Sequence, residues 1–313
     1  MALNIAVVGA TSLIGQEIIE ILGEGEYAVD SLAALTHKSR SGREMSFGEK
    51  DIKTQDVSNY DFSSVDAVFY AGGLADAKDI ATIAIKAGAK IIDCSGALTF
   101  EANTDGVILM PGAATLMLSH ALRPMLSQTK IKRAVVTTFE STSAEGKEGM
   151  DELFNQSRQF FVSDALDHQV FNKQIAFNVI PQTDDFMSDG VTKSEWSFAA
   201  EMKKFVDEKI KISATCVQVP VFMGHGMAVN IEMDGELDAR EAKALWRDSD
   251  GIMVIDRESD MGCVSPVEIA GEDAVFISRV RDDATLDNGL SFWVTADNIR
   301  CVAAHAVKTI FAS

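Results

Sequence analysis

The stretch Leu3-Asn4-Ile5-Ala6-Val7-Val8-Gly9-Ala10-Thr11-Ser12-Leu13-Ile14-Gly15 decides the fold. Its first six residues are a short apolar run, the pattern of a strand buried on both faces. Ile14, Ile18, Ile21 and Leu22 then recur at helical spacing. A strand that enters a glycine turn and leaves as a helix is the setting a dinucleotide loop requires. Backbone must come close to a pyrophosphate, and the helix N-terminus must face the anion. The spacing here is Gly9-x-x-Ser12-x-x-Gly15, so a serine stands where a middle glycine would give the closest approach. Two readings follow: a cofactor loop with Gly9, Thr11, Ser12, Leu13, Ile14 and Gly15 as contacts, or a tight strand-to-helix turn without a ligand. Tyr70-Ala71-Gly72-Gly73 is a second backbone-exposing loop after a later strand on the same edge, and it favours the cofactor reading.

Outward from this motif, apolar runs at Ser31–Leu35, Ala67–Tyr70, Lys90–Ile92 and Val107–Met110 predict further strands, with a helix over Asp76–Ala87 that Gly88 ends. Repeated β-α-β units with buried strands predict a Rossmann-like parallel sheet. After about Arg133 the pattern changes. Arg133–Thr138, Ile210–Val219, Ala228–Met233 and Ala274–Val280 are longer and alternate more, as strands of a mixed sheet do. Helices are expected near Glu145–Val162 and Thr192–Glu208. A last helix over Thr295–Ala312 is expected to pack back on the first domain. The loop Asp164–Gly190 is the most irregular segment. The fold class is thus α/β: a Rossmann-like domain, residues 1–111 and 293–313, plus a mixed α+β domain, residues 112–292.

Composition narrows the function. Of 313 residues, 28 are Lys or Arg and 47 are Asp or Glu, a net charge of −19. Such a surface repels phosphate backbones and anionic lipid, so neither nucleic acid nor membrane is an expected partner. No run of ~18 apolar, uncharged residues predicts a membrane span. The opening residues lack a secretory pattern. Four cysteines, Cys94, Cys216, Cys263 and Cys301, are far apart without metal-ligand spacing, and the five histidines do not cluster. No metal is therefore expected, and a reducing cytoplasm fits.

Strings along nearly the whole chain, in order, now carry a resemblance: GATSLIG, YAGG, TFESTSAEGKEGMDELFNQSR, QIAFNVIPQ, KISATCVQVPVFMGH, SPVEIAGEDAVFISRVRDD and LSFWVTADNIR. Together they resemble the aspartate-semialdehyde dehydrogenase family. That resemblance implies a dinucleotide domain, a second domain that forms a homodimer interface, and reduction of an acyl phosphate to an aldehyde through a cysteine thioester. It implies NAD or NADP as cofactor, with Ser39, Arg40, Ser41, Gly72, Gly73 and Asn298 added to the glycine loop as contacts. The order Ser39-Arg40-Ser41-Gly42 exchanges the arginine and serine of the family's loop, which leaves NAD against NADP open.

The chemistry does not carry over residue by residue. The family's nucleophile lies in a Pro-Asn-Cys-Ser-Thr string, which here reads Pro111-Gly112-Ala113-Ala114-Thr115. Alanine at position 113 cannot form a thioester. The arginine that holds substrate phosphate corresponds to Thr99, and the one that clamps the substrate carboxylate to Gln218. Ser197 replaces a lysine, and Glu140 replaces the active-site glutamine. Charged hydrogen bonds contribute ~1.5–3 kcal/mol each, so two absent arginines remove roughly 3–6 kcal/mol, on the order of 10²–10⁴ in affinity. His225, in Gly224-His225-Gly226, is the family catalytic residue that survives. The chain thus resembles the cysteine-less relatives of the family, the Usg-type proteins.

Three readings compete. The first is a non-enzymatic, cytoplasmic homodimer that still binds a dinucleotide. The second is an active NAD(P)-dependent oxidoreductase of altered substrate and mechanism, with Glu140 and His225 as polar partners; a carboxylate beside His225 would raise its pKa. The third is a binding partner of a true family enzyme. Cys94 follows Asp93 on the loop that borders substrate in the family, where a relocated nucleophile competes with the simpler reading of a small buried side chain. Leu153, Phe154 and Phe160 read as core or dimer contacts.

Overall fold

The computed structural model describes residues 2–98, 106–162, 168–257 and 262–312. By backbone contacts the chain divides into two compact units, Met1–Gly112 with Val302–Ser313, and Ala113–Cys301.

In the first unit Leu3–Val8 (β1) leads through Leu13–Gly23 (α1) to Val29–Thr36 (β2). There follow Glu44–Phe47 (β3), Lys50–Lys53 (β4), Gln55–Asp56 (β5), Ala67–Tyr70 (β6), Ala77–Lys86 (α2), Lys90–Asp93 (β7) and Val107–Leu109 (β8). Six strands form one sheet in the order β5-β2-β1-β6-β7-β8, and each neighbouring pair is parallel. The last four residues of β1 and all of β6 are buried, which is why both read as unbroken apolar runs. The expected parallel-sheet fold is present. The hairpin of β3 and β4 was not anticipated, because its strands are four residues each and their alternation, Met45 and Phe47 on β3 and Ile52 on β4, is short and only half-buried.

The second unit begins with Ala113–Leu122 (α3) and Ile131–Glu140 (β9). Gly146–Phe161 (α4), Lys193–Phe205 (α5), Lys211–Gln218 (β10), His225–Met233 (β11) and Ala239–Arg247 (α6) continue it. Ile252–Val254 (β12), Val275–Asp282 (β13) and Gly289–Ala296 (β14) complete its strands, and Arg300–Phe311 (α7), which follows, belongs from Val302 on to the first unit. Its sheet runs β10-β9-β11-β14-β13-β12. β10 with β9 and β12 with β13 are parallel and the other pairs antiparallel, the mixed sheet expected. Capping boxes start α5 (Thr192 with Glu195) and α6 (Asp238 with Glu241), each satisfying helix donors that have no partner inside the helix. Trp246 of α6 is fully buried; its Nε1–H donates to the Ala121 carbonyl at 2.7 Å, and its ring centroid lies 5.1 Å from that of Phe292 on β14.

One expectation fails near the C-terminus. Thr295 and Ala296 end a strand rather than start a helix, and residues through Cys301 stay with the second unit. The helix waits for Asp297, whose Oδ1 accepts the backbone N–H groups of Ile299 and Arg300 and so starts α7. Of the three residues read as core or dimer contacts, Leu153 is buried while Phe154 and Phe160 are exposed.

Candidate functional site

The first unit places its cleft by topology. Strand order runs outward from β1 to β2 on one side and to β6 on the other, so the carboxyl ends of β1 and β6 flank the switch point where open α/β sheets bind ligands. A cavity of about 380 Å³ lies there. Gly9, Thr11, Ser12, Ser39, Arg40, Gly72 and Gly73, seven of the residues named from the sequence, line it. Thr36, His37 and Tyr70 line it too. They were missed, although Thr36 and Tyr70 end their strands, a position that could have flagged them.

Local chemistry explains the loop. Gly9 has φ +80°, and a Cβ there would collide with the backbone of Ala71 and Gly72, so only glycine lets the two loops meet. Ser12 is the N-cap of α1, its Oγ accepting the Gly15 N–H at 3.0 Å. Gly15 packs against the Gly9 carbonyl, which is the helix-to-strand approach a third glycine permits. Tyr70 Oη donates to the Gly73 carbonyl at 2.7 Å and holds the second loop; burial pushes its phenol up to about 12.

The other expected contacts belong to α1, to the turn after β2 and to the second unit. Leu13, Ile14 and Gly15 belong to α1 and do not line the cavity. Ser41 turns its hydroxyl back to the Lys38 carbonyl at 2.9 Å. Asn298 sits in the second unit, 3% exposed, where its Oδ1 accepts from Ser143 Oγ and Gly224 N at 3.0 Å each and from Ser141 Oγ at 3.3 Å.

That network also surrounds His225, the first residue of β11, which is 4% exposed. The Ser141 backbone N–H donates to its Nδ1 at 3.1 Å, so the ring's own proton sits on Nε2. Burial pushes the ring's pKa down to about 4. This corrects the expectation of a raised value: loss of solvation dominates, and His225 is neutral at pH 7.

Glu140 ends β9, opposite Gln218 on β10. Burial raises its carboxyl, with Glu145 and Glu195 adding repulsion, while Thr138 Oγ1 donates to Oε1 at 2.8 Å. Gln218 is 3% exposed and donates through Nε2 to the Glu140 carbonyl at 2.9 Å, so its amide serves the sheet. Thr99 lies outside the described residues. Ala113 is the first residue of α3. A thiol there would feel the helix N-terminus that depresses cysteine pKa values, but a methyl group stands in its place.

Burial disfavours the thiolate of Cys94 and of Cys216. Cys94 is buried with its Sγ 3.9 Å from the Ile92 carbonyl, and burial raises its thiol strongly. That favours the plain reading of a small core side chain. Cys216 is buried on β10, and burial together with the Glu140 charge pushes it up to about 12. Among the described residues no three His, Cys, Asp or Glu side chains gather to hold a metal ion, and no helix is long and apolar enough to cross a membrane.

Comparison with known proteins agrees with this architecture. Residues 4–120 match the semialdehyde dehydrogenase NAD binding domain, and residues 122–301 the semialdehyde dehydrogenase dimerisation domain. The aspartate-semialdehyde dehydrogenase of Rickettsia conorii is 37% identical over 318 residues, covering 96% of this chain and 94% of its own. Aspartate-semialdehyde dehydrogenase 2 of Vibrio cholerae is 36% identical over 323 residues, with 96% and 94% covered. Among solved structures, aspartate semialdehyde dehydrogenase II of Vibrio cholerae complexed with ASA superimposes with a TM-score of 0.94 at 32% identity, covering 98% of this chain and 97% of that one.

Proposed function

Because the chain belongs to the aspartate-semialdehyde dehydrogenase family, we propose that it keeps the dinucleotide function and has lost the covalent one. It binds NADP in the cleft of the first unit and forms no thioester with an acyl phosphate. The observation that carries this reading is Ala113 at the head of α3, with Cys94 and Cys216 buried and their thiols pushed up. Gln218, tied to backbone, leaves no clamp for a substrate carboxylate.

The choice of NADP rests on the end of β2. A carboxylate commonly follows this strand in NAD-binding folds to hold the ribose 2′-hydroxyl. Here the segment is Thr36-His37-Lys38-Ser39-Arg40, without a carboxylate and with Arg40 lining the cleft. A guanidinium there suits a 2′-phosphate. A nicotinamide dinucleotide, when bound, would supply hydride transfer. The protein is then a cytoplasmic homodimer of the cysteine-less, Usg type, acting through binding and regulation. Exposed Phe154, Phe160 and Phe161 of α4 support a covered face in the dimer.

A second reading, direct hydride transfer without a covalent intermediate, draws on Glu140, whose raised carboxyl keeps a proton to higher pH than an ordinary one. Thermal unfolding with NADP and NAD, alongside a phosphate-dependent assay with aspartate semialdehyde, tests both. NADP at a hundredfold excess over its dissociation constant stabilises by ~2.7 kcal/mol. Arg40→Ala removes the preference over NAD, and no NADPH forms. Absence of any shift with either dinucleotide refutes the binding half. Turnover that survives replacement of all four cysteines refutes the inert half and selects direct transfer.

A further inference from the structure

Apart from these residues, the second unit carries a cavity of about 670 Å³ lined by Lys243, Arg257, Arg279 and Arg281, with Asp256 and Cys263 beside them. Among the described residues four cations and one carboxylate line it, in a chain where acidic residues outnumber basic ones 47 to 28. Lys243 Nζ lies 3.1 Å from Asp256 Oδ2, so that pair cancels and three guanidinium groups are in surplus among the described residues. Among the described residues none of the three arginines has an ion-pair partner.

The backbone is shaped to present them. The register of β13 against β14 slips between Ser278 and Arg281, a bulge. Within it Arg279 adopts φ +57°, a left-handed conformation that a side chain of this size rarely takes. Bulges re-aim side chains, and residues held in such regions gather at ligand sites. Asp256 anchors the bulge as well as the lysine, its Oδ1 accepting the Val280 N–H at 3.4 Å. On β14 the partner of His225 is Ala296 and that of Arg281 is Ser291, so five strand residues, ~17 Å, separate Arg281 from the histidine.

We propose that this cleft binds a small polyanion through a phosphate or diphosphate group. Guanidinium forks pair with phosphate oxygens two at a time, and three in surplus match a diphosphate better than a single carboxylate. The site is separate from the dinucleotide cleft, and its test uses no dinucleotide.

Cys263 supplies the reporter, since it is exposed at this cleft while Cys94, Cys216 and Cys301 are buried. The rate of its alkylation by a maleimide is followed with pyrophosphate, inorganic phosphate, citrate and KCl at matched ionic strength. Pyrophosphate slows alkylation several-fold and saturably, phosphate acts more weakly, and KCl has little effect. Removing one arginine lowers the apparent affinity for pyrophosphate roughly tenfold. Arg281→Gln and Arg279→Gly are the variants, the second chosen because glycine accepts a positive φ and leaves the fold intact. No protection by pyrophosphate, equal protection by KCl, or protection unchanged in both variants overturns the proposal. Citrate protecting as well as pyrophosphate overturns its phosphate assignment.

Discussion

His225→Asn isolates the protonation chemistry of the site. Asparagine can offer its Oδ1 to the Ser141 N–H that Nδ1 now accepts, so the substitution keeps the hydrogen bond and removes the titration. In the folded protein burial holds the ring's pKa at about 4, against 6.5 for the ordinary side chain. As pH falls below 6.5 the unfolded chain takes up a proton that the folded chain refuses, so stability is present in full above that pH and is lost progressively toward 4. From pH 7 to pH 5 this linkage removes about 2 kcal/mol. Groups shared by both proteins, including Glu140, which works in the opposite direction, cancel in the difference. Trp196, Trp246 and Trp293 all lie in the unit that holds His225, so urea unfolding followed by tryptophan fluorescence reads that unit. The stability gap between native protein and variant narrows by about 2 kcal/mol between pH 7 and pH 5. Parallel curves over that range would refute a buried, neutral histidine.

Two further outcomes follow from the geometry. Gly9→Ala forces a Cβ against the Ala71 backbone at φ +80° and destabilises the protein by more than ~1–2 kcal/mol, whereas Gly73→Ala, where a Cβ meets nothing within 4 Å, stays within ~0.5 kcal/mol; thermal melts compare them, and equal losses would contradict the close approach of the two loops. Ala113→Cys creates a thiol at the head of α3 that alkylates faster than Cys263, yet yields no NADPH from aspartate semialdehyde, because Gln218 stays bound to the Glu140 carbonyl; turnover from this single change would show that the substrate-binding arginines are dispensable.

Much of the fold was readable because buried parallel strands leave contiguous apolar runs. β1 and β6 each gave one, and Gly9 and Gly15 marked the turn between β1 and α1. The run in β14 misled at its end, since Thr295 and Ala296 suit strand and helix alike and only pairing with Phe276 and His225 decides. α6 was missed although Asp238 and Glu241 spell its capping box. In the candidate site Ala113 was legible directly, as the residue that the resemblance aligns with the family's nucleophile. The state of His225 was not, because burial comes from chain segments distant in sequence. The arginine cleft was hidden for the same reason: Lys243, Arg257, Arg279 and Arg281 come together only through the β13 bulge, which no local pattern announces.

A methyl group at the head of α3 also bears on oxidative damage. A low-pKa sulfur in that position would be the first atom peroxide attacks, passing through sulfenic acid toward forms no thiol can restore. Here three cysteine thiols, Cys94, Cys216 and Cys301, are shielded by packing, and the Cys263 thiol is exposed. Under peroxide stress the exposed Cys263 would therefore oxidise before the buried thiols do.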